Sequence, residues 1–96
     1  MVTLLETEQF ATWIAALRDT TARDRILVRL RRLVRGNPGD VRPLGEGVSE
    51  LRIHWGPGYR VYFVARGDEL IILLGGGTKH TQARDIREAL RLARAI

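Results

Sequence analysis

The chain contains no cysteine and only two histidines, His54 and His80, so it has no disulfide framework and no ordinary zinc ligand set. Neither a metal nor a small-molecule cofactor is expected. Long apolar runs are missing too: none is longer than Leu70 to Leu74, which is far too short to cross a bilayer. The first ten residues carry Glu6 and Glu8 where a secretory leader needs basic residues followed by an apolar stretch, so a cytoplasmic protein without a membrane partner is expected. Lysine occurs once, at Lys79, which makes fifteen of the sixteen basic residues arginine. Against eleven acidic residues the net charge is +5. Arginine's planar fork suits bidentate contact with phosphate or carboxylate, so a polyanion or an acidic protein partner is expected. The plainer alternative is that these arginines only solvate helix surfaces.

A length of 96 residues leaves room for one core, and 45% hydrophobic with 28% charged residues is the balance of a folded protein. A single domain over residues 1–96 is expected. Val2 to Leu5 reads as a first strand, and Thr7 as the N-cap of a helix from Glu8 to Arg18 whose apolar face is Phe10, Trp13, Ile14 and Leu17. Thr21 and Asp24 have capping-box spacing, which predicts a second helix from there to about Arg35. Its buried side is Ile26, Leu27, Leu30, Leu33 and Val34, with Arg25, Arg29 and Arg32 stacked on a flank. Gly36-Asn37-Pro38-Gly39 breaks the chain, and Pro43 confines the Val41–Leu44 segment to an edge.

From Ser49 to Trp55 the residues alternate as in a half-buried strand, and Gly56-Pro57-Gly58 reads as a three-residue turn. Pairing Trp55 with Tyr59 would set His54 opposite Arg60 and Arg52 opposite Tyr62 on one polar face. Leu70–Leu74 completes a β-meander, the three glycines at 75–77 form a loop, and Ile86, Ala89, Leu90 and Ala93 mark a last helix. The class is α+β: two N-terminal helices packed on a small, mainly antiparallel sheet, with a C-terminal helix against the same layer or its edge.

Gly75-Gly76-Gly77-Thr78-Lys79 lacks the glycine-lysine-hydroxyl order of a nucleotide-binding phosphate loop, which excludes nucleotide hydrolysis by that motif. It leaves Lys79 and His80 at the mouth of an apolar strand, on glycines that permit close approach to a ligand. The polar face is more informative. Arg52 and Arg60 could hold a scissile phosphate, Tyr62 could stack a base, and His54 or His80 could move a proton, as RNA cleavage through the 2′-hydroxyl requires. Set against that reading, Glu50 could simply pair with Arg52 or Arg60 on a solvated sheet face, an arrangement worth little energy.

These residues resemble a known group. The segments Phe10–Arg18, Ala22–Leu33, Gly36–Asp40, Gly47–Arg52, Gly58–Phe63 and Leu73–Gln82 are together similar to the RelE/ParE superfamily of bacterial toxins, within it to the HigB-like, phage Gp49-related addiction module killer proteins. The resemblance spans nearly the whole chain. It implies a toxin of a type II toxin-antitoxin module, silenced by a cognate, adjacently encoded antitoxin, typically of helix-turn-helix type. It also implies an endoribonuclease that cleaves mRNA on the ribosome and so inhibits translation. The arginine of the family's Gly-Tyr-Arg element corresponds to Arg60, the basic residue after the last strand to Lys79, and a preceding-strand basic residue to Arg52. Unlike many relatives, the chain has no tyrosine or histidine after His80. Arg25, Arg29 and Arg32 could contact RNA or meet carboxylates on a facing antitoxin helix. The other readings are a ParE-like inhibitor of DNA gyrase with no nuclease activity, and an inactive remnant that only binds antitoxin.

Overall fold

A computed structural model describes residues 2–96. In chain order it contains β1 (Thr3–Glu6), α1 (Glu8–Ala16), α2 (Thr20–Val34), β2 (Val41–Gly45), β3 (Val48–Ile53), β4 (Tyr59–Arg66), β5 (Leu70–Gly77), a 3₁₀ turn (Lys79–Thr81) and α3 (Gln82–Ala95). The strands form one sheet in the order β1-β5-β4-β3-β2, with β1 parallel to β5 and every other pair antiparallel. The α+β class and the mainly antiparallel sheet are as the sequence predicts.

Local chemistry sets the helix ends. The Thr7 hydroxyl accepts from the backbone N–H of Phe10 and donates to the Leu73 carbonyl, capping α1 and tying it to β5. The start of α2 differs from expectation: Asp19, not Thr21, is the N-cap, its carboxylate accepting from the Ala22 N–H. The same Asp19 carboxylate accepts from the Trp55 indole at 3.0 Å, so one residue starts the helix and anchors the β3–β4 hairpin. The Ala22 and Trp55 hydrogen bonds hold the Asp19 carboxyl below its ordinary range.

The last helix packs against the sheet, as expected, and the structure shows which face it takes, which the sequence reading left open. Phe10, Ile26, Leu30 and Leu33 from α1 and α2 bury Leu51, Ile53, Val61, Phe63 and Leu73. Val48, Tyr62, Val64 and Leu74, the alternate residues of the same strands, are buried by Ala89, Leu92 and Ala93 of α3. Since successive strand residues face opposite ways, α3 covers the face opposite α1 and α2. The sheet is thus apolar on both sides over much of its area, which a reading based on half-buried alternation misses.

Two further expectations are corrected. Residues 75–77 are not a loop, because β5 runs through Gly77, and Gly75, Gly76 and Gly77 pair with Tyr62, Val61 and Arg60. A Cβ at Gly76 would clash with the Trp13 ring, and one at Gly77 would clash with the Asp85 carboxylate. The close approach that Gly76 and Gly77 permit is to the protein's own side chains. The β3–β4 register also differs: Ile53 pairs with Tyr59, Arg52 with Arg60 and Glu50 with Tyr62. The connection is therefore the five residues 54–58, and His54 has left the strand.

Candidate functional site

At the end of the sheet where the β3–β4 hairpin meets the C-terminus of β5, the α3-facing side becomes polar. Its centre is Glu50, whose side chain is fully buried. A carboxylate can stay ionised there only if donors replace its water, and four groups surround it. Arg52 Nε donates to Oε1 at 3.0 Å, Gln82 Nε2 to Oε2 at 2.8 Å, and the Tyr62 hydroxyl to Oε2 at 3.2 Å. Arg60 Nε lies 3.5 Å from Oε2. Burial works against the charged form, but the Gln82 and Arg52 hydrogen bonds and the charges of Arg60 and Arg52 outweigh it. The Glu50 carboxyl is held below its ordinary range.

This geometry replaces the picture of a solvated sheet face. Glu50 does pair with Arg52 and Arg60, yet it does so out of water, and the pair fixes where both guanidinium groups sit. Tyr62 lies under α3 and presents no open ring to a nucleic-acid base, which corrects its assignment as a stacking platform. Burial first, then the Glu50 and Asp85 charges and the hydrogen bond to Glu50, raise its phenol well above the ordinary range. Tyr62 is therefore a donor that stays protonated, not a base.

Arg60 is held by its own loop. Its Nη1 donates to the Gly58 carbonyl at 2.7 Å, while its Nε is buried without a hydrogen-bond partner. Gly58 has φ +79°, and a Cβ there would stand 3.1 Å from Arg60 Nη1 and 3.5 Å from Lys79 Cβ. Gly58 therefore lies between these two basic residues; Arg60 and the partly exposed Arg52 flank Glu50, and with Lys79 on the other side of Gly58 they make up one basic rim. Lys79 and His80 are exposed on the 3₁₀ turn, which Thr78 caps by accepting from the His80 N–H. Lys79 makes no ion pair among the described residues.

The remaining predicted residues gather elsewhere. His54 Nε2 lies 2.5 Å from Asp40 Oδ2, and His54 lines an open groove of about 460 Å³ along α2 with Arg25, Arg29 and Arg32. Within that groove Arg29 is committed to the fold, since it donates to the backbone carbonyls of Arg52, Pro38 and Asp40. Arg25 stacks 4.1 Å from the centre of the Trp55 ring. Exposed Arg32 lines the same groove. Sequence reasoning missed Glu50 and Gln82 as the organisers of the rim. The alternation pointed Glu50 outward, and only the packing of α3 on that face buries it.

A compact α+β domain with a basic rim organised by a buried carboxylate is the class that fold and site define. A family model described as phage derived protein Gp49-like matches residues 12–95, and the chain belongs to that family. An uncharacterized protein of Haemophilus influenzae is 42% identical over 87 residues, which are 91% of this chain and 88% of that protein. The solution structure of the conserved hypothetical protein HP0894 from Helicobacter pylori matches with a TM-score of 0.57 and 21% identity, over 83% of this chain and 97% of that one. That likeness is one of fold. No helix among the described residues is long and apolar enough to cross a membrane.

Proposed function

We propose that this protein is the toxin of a type II toxin-antitoxin module, RelE/ParE-like and HigB-like in kind. It acts in the cytoplasm as an mRNA endoribonuclease at the ribosome and is neutralised by an adjacently encoded antitoxin. The observation that carries the reading is the basic rim: Arg60, Arg52 and Lys79 converge at one end of the sheet, with Glu50 holding the two arginines in place. Membership of the Gp49-like family and the sequence resemblance support it.

In this reading the 2′-oxygen of the substrate attacks the adjacent phosphorus and the bond to the 5′-oxygen breaks. The products are a 2′,3′-cyclic phosphate and a 5′-hydroxyl. Arg60 and Lys79 neutralise the charge that builds on the phosphate oxygens, and Arg52 assists from the partly exposed side. His80, on the same turn as Lys79, takes the 2′-proton, and water protonates the leaving oxygen. His54, engaged with Asp40 in the α2 groove, is not given the proton-transfer role. Arg25 and Arg32 contact RNA phosphates outside the scissile position.

The test is induction of the protein in cells followed by mapping of new mRNA 5′-ends and assay of gyrase-linked DNA breaks. Growth arrest with discrete mRNA cuts and no gyrase-linked breaks is expected. Gyrase-linked breaks with intact mRNA would replace this reading with the gyrase inhibitor, and normal growth with neither would replace it with an inactive remnant.

A further inference from the structure

The two edges of the sheet are built differently. At one edge β2 carries Pro43, which has no N–H to offer a neighbour, and its pairing with β3 shifts register between Pro43 and Gly45. At the other edge β1 is regular, contains no proline, and leaves Leu5 48% exposed. Backbone N–H and C=O groups of alternate residues point to opposite sides of a strand. The Thr3 N–H donates to the Glu69 carbonyl next to β5, and the Thr7 N–H donates to the Leu73 carbonyl of β5. The polar backbone groups of Leu4 and Glu6 therefore point away from the sheet, along an edge with no strand beyond it.

Beside that edge lies a groove of about 320 Å³ between β1 and α2. Leu4, Leu30 and Val34 line it together with Leu27, which is 41% exposed although apolar. Arg31 and Arg35 form its α2 rim and Glu6 lines its β1 side, so the basic charge lies on the α2 side; none of the three makes an ion pair among the described residues. The groove thus runs between β1 and the flank of α2, next to the edge of β1 that has no strand beyond it.

We infer that the outer edge of β1 and the groove under α2 receive an extended segment of the partner protein, apolar where it meets Leu4 and Leu27 and acidic where it passes Arg31 and Arg35. The inference rests on the reading of this protein as a partner-held toxin and adds the place and chemistry of the contact. Edge pairing supplies main-chain hydrogen bonds, and the groove supplies specificity. Charge selects the occupant: a second copy of this chain would bring another +5 net charge and the same Arg31 and Arg35 against the rim, whereas an acidic segment is attracted. The surface is separate from the Arg60–Lys79 rim, so variants here leave the proposed catalytic residues untouched.

The probe is the protein encoded by the adjoining reading frame, titrated by calorimetry onto the Arg60→Ala variant, with amide hydrogen exchange measured on the free and bound forms. Slowed exchange at Leu4 and Glu6 on binding is expected, with binding at least a hundredfold weaker after Leu27→Asp and after the paired change Arg31→Glu with Arg35→Glu. Circular dichroism is to confirm first that each variant is folded. Unchanged exchange at Leu4 and Glu6, undiminished binding by both variants, no complex at all, or a homodimer formed through β1 would each overturn the inference. The toxin reading is scored separately, by growth arrest on induction without the partner. A protected β1 edge in a protein that does not arrest growth would uphold the docking surface and remove the toxin.

Discussion

Glu50 and Arg60 stand on neighbouring strands with Oε2 and Nε 3.5 Å apart, the Glu50 side chain fully buried and that of Arg60 13% exposed. Arg52 reaches the other carboxylate oxygen at 3.0 Å, so a single negative charge positions two positive ones. The consequence is a rim that is basic in sum and fixed in geometry, which is what a site for a developing phosphate charge requires.

Replacing the carboxylate should uncouple that arrangement. Glu50→Gln leaves two guanidinium groups without their counter-charge in a poorly solvated place. A loss of about 2 kcal/mol at neutral pH is expected, below the full cost of breaking a buried pair because Arg52 is partly open to solvent. The folded-state pKa of Glu50 lies below its unfolded value, so its ionised form stabilises the fold above about pH 4.3. That contribution is lost as pH falls through the folded value. Urea unfolding from pH 7 down to pH 3 should show the gap between parent and variant narrowing below about pH 4.3. A constant gap would mean that Glu50 does not act through its charge.

Tyr62 should behave in the opposite sense. Its folded pKa is raised, so the stability it contributes is complete below its unfolded pKa of about 10 and is lost as pH climbs through the folded value. In a Tyr59→Phe background, tyrosinate absorbance should stay flat through about pH 10 and rise only as circular dichroism reports unfolding. An ordinary titration near pH 10 in a folded protein would show that Tyr62 is exposed after all.

The three consecutive glycines separate a packing role from a ligand role. A Cβ at Gly76 would clash with the Trp13 ring, whereas one at Gly75 would meet nothing within 4 Å. Gly76→Ala should therefore cost about 2 kcal/mol by overpacking, and Gly75→Ala should change stability by less than about 0.5 kcal/mol. Equal effects in thermal or urea unfolding would contradict the assigned role of Trp13.

How far the sequence reaches is visible in these same residues. Phe10 and Trp13 at helical spacing, Pro43 at an edge, and the apolar Leu70–Leu74 run placed the elements correctly, because periodicity and backbone restriction are local properties. The Asp19 cap was missed because an acidic side chain just before Thr20 competes with the equally plausible Thr21–Asp24 box, and the choice depends on Trp55, 36 residues away. The shift that set Arg52 opposite Arg60 arises from a five-residue hairpin connection where the glycines suggested three. Glu50 and Tyr62 were read as surface because their burial is imposed by α3, whose docking face no local pattern reveals. Arg60 and Lys79 were legible by resemblance, but their apposition across Gly58 was not.

The central claim is that the Arg60–Lys79 rim cleaves RNA, and the most direct measurement is mRNA 5′-end mapping with growth assay on induction of the parent, Arg60→Ala and Lys79→Ala. Each variant is first shown to be folded by circular dichroism, since Arg60 also neighbours the buried Glu50. Removing a donor aimed at developing charge lowers the rate about a hundredfold to a thousandfold, so both variants should grow and lose the cleavage pattern. A folded Arg60→Ala protein that still arrests growth and leaves the parental mRNA cuts would contradict the account.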